Sequence, residues 1–206
     1  MVAARRPFPS GSGRRGRAGR EAPDDGLPRD DARAPDADPE QVARQICLRQ
    51  LEHAPRPRAE LAAPLSDRGV PDDVAELVLG RFTEVGLIDD AVFAELWVSS
   101  RHRGRGLAGR ALGQELRRKG VDDDGVREAV EGLDPAQEEA TARALVDRKL
   151  RSTRGLATDA RVRRLAGMLA RKGYPAGLAF RVVKEALADE GEDADLPFDQ
   201  LQALDD

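Results

Sequence analysis

One short string constrains this chain more than any other feature. Leucine, two residues, a basic residue, glycine and an apolar residue occur three times: LSDRGV at 65–70, LRRKGV at 116–121 and LARKGY at 169–174. The glycines Gly69, Gly120 and Gly173 are 51 and 53 residues apart. A glycine that follows a basic last turn suits the left-handed residue closing a helix. Downstream apolar positions recur in step: Val74, Val78 and Phe82, then Val126, Val130 and Leu133, then Ala179, Val183 and Leu187. Each unit of about 50 residues reads as three helices. One such unit hardly builds a core, so the units must bury one another's faces. The predicted fold is all-α, an elongated array of three tandem three-helix repeats with disordered charged tails.

The residues between 39 and 190 support that reading. Ala, Leu, Arg and Glu dominate, strand alternation is absent, and the chain has two Ile. Punctuation by Pro, Gly and Asp brackets nine helices, at about 40–53, 57–68, 71–85, 89–103, 107–119, 122–132, 135–150, 158–172 and 175–190. Pro39, Pro71 and Pro135 sit at or near first helical positions, and Asp89 and Asp122 are candidate caps. Pro64 is expected to bend or break the second helix. The 3.6-residue period marks Val92, Phe93, Leu96 and Trp97 as one core stripe, and Leu107, Ala111, Leu112 and Leu116 as another. The repeats divide as 39–88, 89–134 and 135–190, between tails at 1–38 and 191–206.

Net charge is −4, yet the charge is segregated along the chain. Residues 1–20 carry six Arg and no acid, and residues 21–40 carry eight acids against two Arg. Residues 184–206 carry nine acids and one Lys. Such tails hold too little apolar surface to offset the entropy of ordering. Two internal blocks are basic. Arg101, Arg103, Arg105, Arg110, Arg117, Arg118 and Lys119 face a single acid, Glu115, within 101–119. Nine bases, among them Arg148, Lys149, Arg151 and Arg154, face Asp147 and Asp159 within 147–172. These blocks form the candidate partner-binding surface, for an acidic protein face or for nucleic-acid phosphates.

Catalytic patterns are missing. No glycine-rich loop precedes Lys and Ser or Thr, and Gly104-x-Gly106 is a lone pair. One cysteine, Cys47, excludes a disulfide framework and multi-cysteine metal sites, and its apolar helix makes it a buried, inert thiol. The only histidines are His53 and His102. His102 lies among arginines that disfavour its proton. Asp89-Asp90 and Asp122-Asp123-Asp124 read as helix caps rather than as metal ligands. No enzyme, cofactor or metal is expected. With 3% aromatic residues the chain lacks a platform for stacking bases. No run is long and apolar enough for a membrane span, and the first residues lack a signal-peptide core, so a cytoplasmic location is expected.

The segment from Gly86 to Val121, GLIDDAVFAELWVSSRHRGRGLAGRALGQELRRKGV, resembles the signature region of the RecX family, bacterial regulators of the RecA recombinase. The resemblance rests on Leu87-Ile88-Asp89-Asp90, Phe93-Ala94, Trp97, Arg101, a glycine-containing turn and the close from Gln114 to Val121 with Leu116 and Gly120. The flanks 43–61 and 142–151 are similar to the family as well. The resemblance implies tandem three-helix repeats and binding to RecA and to its filament on single-stranded DNA. It also implies restraint of ATP hydrolysis, strand exchange and coprotease activity, and hence regulation of recombination, DNA repair and the SOS response by a protein that is not itself an enzyme. A direct DNA-binding protein that uses the same arginines, and a helical scaffold for another acidic partner, are the alternative readings. A monomer is expected.

Overall fold

The computed structural model describes residues 38–191. The tails read as disordered lie outside the described residues, apart from Asp38 and Gly191. Nine α-helices and no strand occur among the described residues: α1 (Pro39–Leu51), α2 (Arg58–Asp67), α3 (Asp72–Glu84), α4 (Asp90–Arg105), α5 (Gly109–Arg118), α6 (Asp123–Glu131), α7 (Pro135–Leu150), α8 (Thr158–Arg171) and α9 (Ala176–Ala188). A 3₁₀ turn, Arg151–Thr153, joins α7 to α8.

The helices assemble as three trios, each around its own core, so a unit of about 50 residues gathers more of a core by itself than its length suggested. Cys47, Leu61, Leu65, Val78, Leu79 and Phe82 pack within the first trio. Phe93, Ala94, Val98, Leu112, Leu116 and Val126 pack within the second. Val146, Leu165, Leu169, Val182, Val183 and Leu187 pack within the third. Burial holds the Cys47 thiol above its ordinary range, as an inert core group.

The thrice-repeated string is a helix C-cap. In the first trio the amide of Val70 donates to the Leu65 carbonyl and that of Gly69 to Ser66. Val121 and Gly120 make the same pair of bonds to Leu116 and Arg117, and Tyr174 and Gly173 to Leu169 and Ala170. This is the Schellman arrangement, with leucine and the post-glycine apolar residue in contact on the core side. The glycines have φ of 72°, 84° and 91°, the left-handed region closed to most side chains. Asp38, Asp89, Asp122 and Asp134 accept backbone N–H groups at the starts of α1, α4, α6 and α7.

Two expectations are corrected, the first in its stronger form. Pro64 does not break α2, which runs on to Asp67. The proline removes one bond, to the Glu60 carbonyl, close to the helix end, where little helix remains to lose. The α4 stripe is also turned by one residue. Phe93, Ala94 and Val98 face inward, whereas Val92 and Leu96 are 49% and 55% exposed. Ala94 and Val98 are buried in one core with Leu112 and Leu116 of α5 and Val126 and Ala129 of α6. Either stripe satisfies the 3.6-residue period, and packing against α6 selects between them.

Candidate functional site

The surface around the two basic blocks rests on two joints between trios, built with the same chemistry. At the first joint Asp90 accepts the backbone N–H of Arg58, the first residue of α2, at 2.8 Å. Gly120 sits on Ala59, where any Cβ would overlap the alanine methyl. Lys119 pairs with Glu60 at 2.6 Å. At the second joint Glu138 accepts the N–H of Gly109, the first residue of α5, at 3.2 Å. Gly173 sits on Ala111 and the Ala108 carbonyl, and Lys172 donates to the Arg105 carbonyl at 2.6 Å. Ala108 donates its N–H to the Lys172 carbonyl at 2.8 Å. In each joint an acid from one trio caps the second helix of the preceding trio, and a glycine C-cap docks beside it. Among the described residues no trio precedes Gly69, and none of their atoms lies within 4 Å of where its Cβ would be.

His102 and Tyr174 add to the second joint. His102 is 2% exposed, with Nδ1 2.8 Å from the Leu107 carbonyl and Nε2 3.0 Å from Thr141 Oγ1. Tyr174, the sole tyrosine, donates its hydroxyl to the Gly106 carbonyl at 3.3 Å. Burial, reinforced by the Glu138 carboxylate, pushes its pKa up to about 12. Because the folded value lies above the unfolded value of about 10, the tyrosine stabilises the fold fully below pH ~10 and loses that effect as pH rises toward 12. Absorbance at 295 nm should therefore show one phenol titrating near pH 12. A midpoint near 10 in folded protein would mean that the hydroxyl is not enclosed.

The first basic block contains a second ordered cluster. Phe93 and Trp97 stack with centroids 5.6 Å apart. Arg101 lies 4.0 Å and Lys119 4.2 Å from the Trp97 ring centroid, a pair of cation–π contacts. Trp97 Nε1 donates to Glu115 at 3.1 Å, and Arg105 pairs with the same carboxylate at 2.8 Å. Arg101 approaches it at 3.7 Å. Glu115 is thus the hub that orders Trp97, Arg101 and Arg105, and sequence reasoning assigned it no role. Its signal was available, as the lone acid inside a strongly basic block.

The predicted partner-binding residues therefore divide. Lys119 belongs to the first joint, and Arg101 and Arg105 to the Glu115 hub. Arg110 reaches the Ala170 carbonyl at 3.4 Å across the second joint. Arg117 pairs with Asp123 at 2.7 Å, and Arg154 with Glu190 at 2.5 Å. Arg103 and Arg148 bond within their own helices, to Ser99 and to the Ala144 carbonyl. Arg103, Arg118, Arg148, Lys149 and Arg151 are exposed with no carboxylate in ion-pair range among the described residues. Among the described residues, no group of three or more His, Cys, Asp or Glu could hold a metal ion, and no helix is long and apolar enough to cross a membrane.

Family models place the same three trios. Models of the first, second and third three-helix domains of RecX match residues 43–82, 89–130 and 137–183. A protein of Thermobifida fusca named Regulatory protein RecX is 64% identical over 155 residues, covering 75% of this chain and 84% of the relative. A protein of the same name from Streptomyces coelicolor is 60% identical over 161 residues, covering 78% and 86%. The crystal structure of RecX from Lactobacillus salivarius shares the fold, with a TM-score of 0.68 at 16% identity, over 71% of this chain and 96% of that one. With three matched domains and relatives of this identity along most of their length, the chain belongs to the RecX family.

Proposed function

We propose that the chain acts in the cytoplasm as a monomeric regulator that binds RecA and its filament on single-stranded DNA. It restrains ATP hydrolysis, strand exchange and coprotease activity, and catalyses no reaction itself. Relatives that carry the name of a regulatory protein support this reading. The observation that carries it is the division of the cations. Arg103 and Arg118 on the second trio, with Lys149 and Arg151 on the third, stay exposed while their neighbours are spent on structure. Guanidinium forks suit carboxylates and phosphates alike, and several such contacts along one polymer reinforce each other by multivalency.

Titration into a RecA–single-stranded DNA ATPase assay tests the reading, and no inhibition at any excess would reject it. The double variant Arg103→Glu/Arg118→Glu should inhibit about tenfold more weakly, with a flatter salt dependence. Helical circular dichroism should not change, because neither side chain reaches across a joint. Unchanged inhibition would remove this face from the interface. Direct DNA binding is the rival: a steep log–log salt slope on naked DNA, with no contact to RecA alone, would select it.

A further inference from the structure

On the third trio, α7, the 3₁₀ turn and α8 enclose a pocket of about 210 Å³. Three cations line it: Lys149, Arg164 and Arg171. None has a carboxylate within ion-pair distance among the described residues. Between them lie Leu165 and Met168. Arg164, Met168 and Arg171 follow the helical spacing of one face of α8. Ser152 and Thr153 complete the rim. Asp147 and Asp159, the acids of α7 and α8 nearest in sequence, do not line it. A bare phosphate has no use for the apolar side chains between the cations. Carboxylates interleaved with apolar side chains match both.

The sequence contains such a ligand. Residues 192–206, EDADLPFDQLQALDD, hold six acids and no base, with Leu196, Phe198, Leu201 and Leu204 among them. The described chain ends at Gly191, one residue past Glu190, which reaches Thr153 of the pocket lining through Arg161. Glu190 bonds Arg154 and Arg161 at 2.5 Å each, and Arg161 bonds Thr153 on the pocket rim at 3.1 Å. Fifteen residues reach up to about 50 Å when extended, whereas Arg164 and Arg171 are about 10 Å apart along α8. We propose that this pocket is an acidic-peptide site and that its ligand is the chain's own segment 192–206, held by Lys149, Arg164 and Arg171 over Leu165 and Met168. A short tether gives an effective concentration in the millimolar range, enough to fill a site of weak intrinsic affinity. The segment then covers Lys149, one of the cations left exposed on this trio.

Zero-length carbodiimide cross-linking of the full chain tests this without RecA or DNA. The chain has four lysines, Lys119, Lys149, Lys172 and Lys184. Peptide mapping should find Lys149 joined to carboxylates of 192–206 about tenfold more often than Lys184, on the monomer band. The Arg164→Ala/Arg171→Ala variant and 0.5 M salt should both reduce that product severalfold. The Lys119–Glu60 link, at 2.6 Å in the first joint, should persist in the variant as proof of folding. Equal linking of Lys149 and Lys184, or a product indifferent to the double variant, would overturn the proposal. So would a Lys149 product found between two chains. Protection of Lys149 by a single-stranded oligonucleotide, with no link to 192–206, would instead assign the pocket to nucleic acid.

Discussion

Replacing Gly173 with alanine is expected to destabilise the protein by about 3–5 kcal/mol, which for about 150 folded residues lowers the melting temperature by roughly 10 °C. Two costs combine. An alanine held at φ 91° pays about 1–2 kcal/mol for the left-handed backbone. Its methyl also meets Ala111 Cβ at 2.7 Å and the Ala108 carbonyl oxygen at 3.1 Å, so the third trio must move off the second. The first repeat supplies the control. Gly69 has the same cap and φ 72°, with no atom of the described residues within 4 Å of its would-be Cβ, so Gly69→Ala should cost only the backbone share. Equal losses at the two positions, measured by thermal denaturation, would show that the joint contributes nothing beyond the cap. Gly120→Ala should fall with Gly173→Ala, because its methyl would overlap that of Ala59.

Arg161→Ala should be nearly as damaging, at about 3 kcal/mol. Arg161 is 1% exposed, the largest fully buried side chain among the described residues. Its guanidinium reaches Thr153 Oγ1 at 3.1 Å, the Leu150 carbonyl at 3.4 Å and Glu190 at 2.5 Å, tying the start of α8 to the end of α9. Removing it opens a cavity and strands polar atoms that paired with it. Arg154, 63% exposed, also bonds Glu190, yet Arg154→Ala should cost well under about 1 kcal/mol because water screens it. The same network sets an acid limit. Hydrogen bonds from Arg161, then Arg154, hold the Glu190 carboxyl below its ordinary range. A depressed folded pKa stabilises above the unfolded value of about 4.3 and is lost as pH falls through the folded one. The Glu190→Gln chain should lack that component of acid destabilisation in melts below about pH 5. An acid limb identical to the parent's would exclude the network as its source.

Much of the architecture was legible because helix signals are local. The Leu-x-x-basic-Gly-apolar string could be read as a helix end, since a left-handed glycine and a preceding basic turn are properties of a few adjacent residues. Asp89 and Asp122 were legible as caps for the same reason. The roles of side chains between trios were not. Asp90 looks like a second cap for α4, yet it caps α2, 32 residues earlier. Lys119 looks like one more cation of a binding face, yet it closes a joint with Glu60. Arg161 counts toward a basic block but contributes no surface charge, because it is buried and Glu190, two residues past the end of α9, reaches it. Periodicity could not choose between Val92 and Ala94 as the inward neighbour of Phe93, since both satisfy one turn of helix.

The amino-acid order alone therefore determined where helices start and stop, that three like units follow one another, and the family they resemble. These depend on hydrogen bonds and torsions spanning five or six residues. Tertiary structure alone decided which cations stay exposed with no carboxylate in ion-pair range among the described residues. A charge is neutralised by whatever acid the packing brings within a few ångströms, and here that acid lies as many as 59 residues away, as Glu60 does from Lys119.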